Sequence, residues 1–301
     1  METEKDWKKP SVIYKRKSYA VGDDDPKEII DCDGRTLMEQ LSLFPEEQDL
    51  REPISVTWNL WHGCTKVSTG CKHCYMYRKD EAVGRDPSVV EKTKSFNLPV
   101  SKLRSGVYKG RYKVPSGSMI FTCFSSDFFH LEADKWREAA WDMIRERSDC
   151  TFLIITKRPE RIKENLPYDW ENGWEHVTIA VTCENQEMAD KRLPIYLSIP
   201  MKHYSVMIEP MLSGVNLKAY FQMGKIEDVN VGGESGPEAR VCDFNWVLDV
   251  HAQCMEYNVG FSYHQTGARL LKDGKEYHIR REYQHQQAKK AMRVFNGDRH
   301  H

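Results

Sequence analysis

Three thiols, Cys64, Cys71 and Cys74, fall within eleven residues in the stretch GCTKVSTGCKHCYMYR. Three is an awkward number. A closed structural zinc site takes four ligands, and a disulfide framework takes an even count. Two chemistries answer to it. Zinc completed by His62 or His73 gives a Cys3His site, although structural zinc usually comes from two Cys-x2-Cys-like pairs and the second pair is missing. A [4Fe–4S] cluster held at three irons leaves its fourth iron open to a small molecule. An open iron is what reductive cleavage of S-adenosylmethionine to a 5′-deoxyadenosyl radical requires. On the residues alone both readings stand.

The other cysteines, Cys32, Cys123, Cys150, Cys183, Cys242 and Cys254, are scattered singly, which makes nine in all. An odd count without an apolar leader at the N-terminus argues for a reducing cytoplasm and against disulfides. No uninterrupted apolar run of about eighteen residues is present, so no membrane span is expected. Of the 301 residues, 40% are hydrophobic, enough for a real core, and the formal net charge of −1 gives no global signal for nucleic acid.

The elements that must position the cysteines follow a rhythm. ISVTWNL (54–60), SMIFTCF (118–124), TFLIIT (151–156), HVTIAVT (176–182), YSVMIE (204–209), DVNVGG (228–233) and VGFSYHQ (259–265) are near-continuous apolar runs. Strands covered on both faces of a parallel sheet read this way. Helical patterns lie between them, clearest in LEADKWREAAWDMIRERS and DFNWVLDVHAQCMEYN. Repeated βα units with right-handed crossovers predict an α/β barrel or an open doubly wound sheet. Each run ends in polar residues: the cysteine stretch, then SSDFFH, TKRPER, TCENQ, EP, GGESG and HQTG. In βα barrels the C-terminal strand ends carry the chemistry.

Residues 1–53 read as an acidic N-terminal arm, 54–268 as the barrel, and 269–301 as a basic C-terminal extension. Within the barrel, 75–117 is a basic insertion: Arg85 to Lys113 holds eight Lys or Arg against two acids, interleaved with Phe96, Tyr108 and Tyr112. Cations among aromatics suit a polyanion, with phosphates held by charge and bases by stacking. A solvated surface insertion reads the same way.

The segments WNLWHGCTKVSTGCKHCYMYR, FTCFSSDFFH, FLIITKRPERI, VTCENQEMADKRLPIYLSIP, IEPML and VGGESGPEAR together resemble a phage-associated three-cysteine-motif family related to the radical SAM enzymes. The resemblance spans about 54–268. It implies a radical SAM-type partial (β/α)6 TIM-like barrel with a [4Fe–4S] cluster on Cys64, Cys71 and Cys74 and S-adenosylmethionine as cofactor. It implies no substrate. The spacing here, Cys-x6-Cys-x2-Cys, departs from the commonest radical SAM spacing, Cys-x3-Cys-x2-Cys. The GGE motif that holds the cofactor's amino group at the second strand of many such enzymes stands here at the sixth strand.

The amino group therefore falls to Ser125, Ser126 and Asp127, with Asp127 as acceptor, unless Asp127 only caps the following helix. Glu184 and Asn185 are candidates for the ribose hydroxyls. Gly232 and Gly233 would let the backbone approach the cofactor, with Glu234 or Ser235 as hydrogen-bond partners. Glu209 and Lys157 are candidates for substrate contact, although Lys157 and Arg158 would equally pair with Glu160 or Glu184. Cys123 and Cys183 sit near strand ends, where a thiol donates a hydrogen atom to a substrate radical or simply packs; Cys123 is the one carried forward as catalytic. Tyr75 is placed near the adenine. The expected partners are an external flavodoxin- or ferredoxin-type electron donor and a nucleotide or nucleic-acid substrate, with room for a protein partner. A photoproduct-lyase-like repair reaction, which regenerates its cofactor, and a zinc-stabilised binding protein are the alternatives.

Overall fold

The computed structural model describes residues 50–295, so most of the acidic arm lies outside the described residues. In chain order the strands are β1 (Ser55–Trp58), β2 (Trp61–His62), β3 (Glu91–Lys92), β4 (Met119–Thr122), β5 (Thr151–Thr156), β6 (Val177–Thr182), β7 (Tyr204–Ile208), β8 (Ile226–Gly232), β9 (Cys242–Asp243), β10 (Gly260–Gln265), β11 (Arg269–Lys272) and β12 (Lys275–His278). The helices are α1 (Tyr75–Ala82), α2 (Asp134–Glu146), α3 (Gln186–Ser198), α4 (Lys218–Phe221), α5 (Phe244–Glu256) and α6 (Arg281–Phe295).

Seven strands form one sheet in the order β1-β4-β5-β6-β7-β8-β10. All six pairings are parallel. Each strand lies beside the next one in sequence, so every crossover steps in the same direction and the sheet curls into a half-barrel. β1 and β10 are its two edges. The seven apolar runs each supply one of these strands, one more than a (β/α)6 barrel has.

Burial follows position in the sheet. All five residues of β7 are buried, and five of six in β6, whereas β1 and β10 each carry exposed positions. Alternation shows which face is open. Ile120, Phe152 and Ile154 are fully buried beneath the crossovers. Their neighbours in sequence, Phe121, Leu153 and Ile155, are half-buried and lie in register with Thr178 and Ala180 of β6. The same register reaches Ser205, Asp228, Asn230 and Ser262. One face of the sheet is thus apolar at β4 and β5 and polar at β7, β8 and β10. Burial raises the pKa of Asp228, while hydrogen bonds from Ser205 and Asn230 hold the charge.

One crossover departs from the expected strand–helix alternation. Between β5 and β6 there are only two 3-10 turns, Pro159–Arg161 and Lys163–Asn165. Indole rings stand in for the missing helix. Trp170 and Trp174 pack on Trp141 of α2, with centroids 5.7 and 5.8 Å away, and Trp141 donates to the carbonyl of Asn165 at 2.8 Å. Buried aromatic area of this kind supplies what a helix face otherwise would.

The stretch read as a basic insertion carries α1 and β3, the latter paired antiparallel with β2. Its rings meet cations from within and from outside the stretch: Lys92 lies 3.8 Å from the Phe96 centroid and Lys102 5.3 Å from that of Tyr112, while Arg147, at the C-terminal end of α2, lies 4.3 Å from Tyr112. Beyond β10, β11 pairs with both β12 and β9, and α6 packs along β10. None of the helices among the described residues is long and apolar enough to cross a membrane.

Candidate functional site

The cysteine loop leaves β2 at the C-terminal end of the sheet and is tied to the ends of three strands. From β4, Ser125 donates to the carbonyl of Trp61 at 2.9 Å and accepts from the Gly63 amide at 3.1 Å, and the Ser126 hydroxyl donates to the Gly63 carbonyl. From β5, the buried guanidinium of Arg158 donates to the Thr65 carbonyl at 2.9 Å and to its hydroxyl at 2.8 Å. From β6, the fully buried Glu184 accepts the Gly70 amide at 3.1 Å on one oxygen and Arg192 at 2.7 Å on the other. A Cβ at Gly70 would come within 2.8 Å of the Glu184 carboxylate and push it from its place. Burial raises the pKa of Glu184, but the charge of Arg192, then the Ser68 hydroxyl and the charge of Lys157, outweigh it, and the carboxyl sits below its usual range.

All three thiols are free and half-buried. Burial, then the charge of Asp127, push Cys64 up to about 12; Arg158 opposes this, its Nη2 lying 3.9 Å from the sulfur, and Cys71 and Cys74 add to the rise. The three sulfurs thus act on one another. Among the described residues, however, no three Cys, His, Asp or Glu side chains converge as ligands of a single ion do. Tetrahedral zinc at 2.3 Å from each sulfur requires sulfurs only about 3.8 Å apart. His62 is bonded to Asp80 at 2.7 Å and His73 to Glu238 at 3.2 Å. The site thus brings three free thiols onto one loop, with the buried guanidinium of Arg158 beside Cys64.

The other expected site residues divide into two sets. Around the loop, Asp127 accepts Phe129 N at 2.9 Å and the Thr156 hydroxyl at 2.8 Å on Oδ1, and Lys157 N at 3.0 Å on Oδ2, with Arg158 4.0 Å from Oδ2. It caps the turn after β4 and pins β4 to β5. Cys123 is buried at the end of β4 with φ +66°, a backbone region that costs a non-glycine residue about 1–3 kcal/mol and clusters at functional sites. Burial, then Asp127, raise its pKa well above the ordinary thiol value. Arg158 thus pairs with Asp127 and Thr65, not with Glu160 or Glu184.

The second set lies at the ends of β7, β8 and β10. Glu209 bonds to His264 at 3.0 Å and accepts from Gln265. This bond, foremost, raises the pKa of His264, against burial and Arg281. Gly232 and Gly233 admit their own chain: a Cβ on the first would meet the Glu209 carboxyl at 2.6 Å, and on the second the Thr266 carbonyl at 2.3 Å. Glu234 is buried; burial alone would raise its carboxyl, but hydrogen bonds from Arg240 hold it below its usual range. The Ser235 carbonyl accepts from Arg78 at 2.9 Å. Asn185 is the N-cap of α3, accepting Met188 N at 2.9 Å.

Tyr75 joins the two sets. Its hydroxyl donates to the Phe124 carbonyl. Burial, foremost, raises its pKa, followed by the charges of Cys74, Cys123 and Glu209. Arg192, Gly70, Thr65, Arg78 and His264 were not singled out from sequence as site residues. Two signals for them exist: Arg192 lies eight residues beyond Glu184 on the following helix, and Arg78 one helical turn beyond Cys74.

Comparison with known proteins gives no match among curated sequences. Among solved structures the chain is similar to a mutant spore photoproduct lyase, at TM-score 0.39 and 12% identity over 81% of this chain and 78% of that one. Spore photoproduct lyase complexed with dinucleoside spore photoproduct is similar at TM-score 0.39 and 13% identity, over 80% and 73%. The model of a family described as "Protein of unknown function (DUF5131)" matches residues 52–301, and the chain belongs to that family.

Proposed function

We propose that the protein is an iron–sulfur enzyme of the radical SAM type, with Cys64, Cys71 and Cys74 holding a [4Fe–4S] cluster. The observation that carries this reading is the loop itself. Three free thiols sit together on one loop at the C-terminal end of a parallel half-barrel, and that loop is anchored to the ends of three strands. Held there, such a cluster would supply the one-electron reduction that cleaves S-adenosylmethionine to methionine and a 5′-deoxyadenosyl radical, with a flavodoxin- or ferredoxin-type donor as the source of the electron.

The chain's residues then have distinct jobs. Glu184, Arg158, Ser125 and Ser126 position the loop. Asp127 would hold the cofactor's ammonium, since its Oδ2 takes one hydrogen bond from the fold, with Arg158 4.0 Å away, where a carboxylate oxygen has room for two. Asn185 and Glu234 serve as cap and ion-pair partner in this reading and leave the adenosine to backbone groups. Glu209 and His264 face the substrate, for which a nucleotide or nucleic-acid base is the candidate class.

The test is anaerobic reconstitution with iron and sulfide, then EPR of the reduced protein with and without S-adenosylmethionine. The expected result is a [4Fe–4S] signal that shifts with the cofactor and disappears in Cys71→Ala. A colourless protein that takes up one zinc per chain instead would overturn the reading.

A further inference from the structure

Beside the cysteine loop, α1 and the start of α6 enclose a cavity of about 770 Å³. Its wall holds Tyr75, Arg78, Lys79, Arg280 and Arg281, and no Asp or Glu. Four cations around one cavity repel one another unless an anion joins them. The nearby carboxylates are engaged elsewhere: Glu209 with His264 and Gln265, Glu234 with Arg240. Arg280 has Glu282 at 3.4 Å. Among the described residues, Arg78, Lys79 and Arg281 form no ion pair.

Arg78 is prepared for a ligand. Its guanidinium lies against Gly236, where a Cβ would meet Nη1 at 1.2 Å and where φ is +109°. One donor is fixed on the Ser235 carbonyl, and the rest of the planar fork keeps its charge for an oxyanion. Tyr75, Arg78, Lys79 and Ala82 share one face of α1 at helical spacing, starting directly after Cys74. The Tyr75 ring is 39% exposed and carries Lys79 Nζ over it, 5.5 Å from its centroid, so an incoming base would stack on the ring by displacing that cation toward its phosphate. The basic character continues beyond the cavity along α6 at exposed Lys289 and Lys290.

We propose that this cavity is a phosphate subsite, which takes a phosphate of a nucleotide or of a nucleic-acid strand and sets the attached base over Tyr75 toward the cysteine loop. The subsite rests on the radical SAM reading only for what happens to that base; the binding stands apart from it. Its chemistry is that of Arg and Lys on phosphate oxygens with one aromatic platform.

The experiment uses the full chain and fluorescence anisotropy. The probe is a labelled single-stranded oligonucleotide of about ten nucleotides, within the range one such groove covers. Thymidine monophosphate and unlabelled oligonucleotide are the competitors. Lys79→Glu and Arg281→Glu alter exposed side chains, and a melting curve confirms that each variant folds. The expected result is saturable binding that each variant weakens at least tenfold, with a salt slope lowered by about 1 per contact removed. Displacement by the mononucleotide identifies a nucleotide-sized ligand, and displacement by the oligonucleotide alone identifies a strand. A wild-type chain that binds neither, or a double variant that binds as wild type does, overturns the proposal. Measuring Cys71→Ala alongside keeps the two readings apart, because loss of the cluster leaves phosphate binding intact and loss of phosphate binding leaves the EPR signal intact.

Discussion

A buried charge is stable only beside its partner, and Glu184 depends on Arg192 in this way. Its side chain is fully buried and Arg192 is 4% exposed. Glu184→Ala leaves Arg192 without its counter-charge, a loss of about 3–5 kcal/mol for a buried pair. It also frees the Gly70 amide and with it the middle of the cysteine loop. We expect a lower urea midpoint and less iron retained per chain after reconstitution; an unchanged midpoint would place Glu184 outside the loop's support. Glu209 makes a second, milder test. Its hydrogen bond raises the pKa of His264, so the imidazolium form is stabilised by folding. That contribution is therefore full below the unfolded histidine pKa and is lost as pH rises through the higher folded value. His264 is 56% exposed, so solvent screening keeps the stability effect small and the titration is the better readout. A histidine NMR titration should place His264 above its ordinary value, and Glu209→Gln should bring it down, since burial and Arg281 then act alone.

At the scale of elements, the sheet was the most legible part of the molecule. Apolar runs long enough to be covered on both faces have few other solutions, and each of the seven became a parallel strand. The β5–β6 crossover was less legible, because Trp170 and Trp174 replace a helix through contacts distant in sequence, which no periodicity records. The roles at strand ends were harder still. A carboxylate or amide at such an end serves a ligand or the scaffold with the same residue type, and only its partners distinguish the two. Asn185 is the sharpest example. From sequence it is a candidate for the ribose hydroxyls, and in the fold its side chain caps α3, a role the residue type serves equally well. Asn185→Ala should cost about 1 kcal/mol of stability, and Asn185→Ser should recover most of it. If Asn185→Ser is as stable as wild type yet loses affinity for S-adenosylmethionine in calorimetry, the side chain has a second task at the cofactor.

At the scale of the whole molecule, the cysteine loop is a clasp as well as a candidate ligand set. It leaves the edge region of the half-barrel and is hydrogen-bonded to groups at the ends of β4, β5 and β6. A parallel sheet closed into a full barrel has no free edges, whereas this one ends at β1 and β10. Whatever orders the loop therefore holds four neighbouring strands in place at their C-terminal ends. A group that binds the folded chain and not the unfolded one stabilises it by mass action, by about 2.7 kcal/mol at a hundredfold excess over its dissociation constant. In a domain of this size 1 kcal/mol moves the melting temperature by about 2–4 °C. Reconstitution with iron and sulfide should thus raise the Tm of the whole domain by several degrees in a single transition. Cys71→Ala should melt like the metal-free protein, with no gain on reconstitution. Glu184→Gln, which keeps an acceptor for Gly70 and loses the charge opposite Arg192, should start from a lower Tm and still gain on loading. If iron binds with no change in Tm, or only a minor early transition moves, the loop is an independent appendage, and the strand ends are not joined through it.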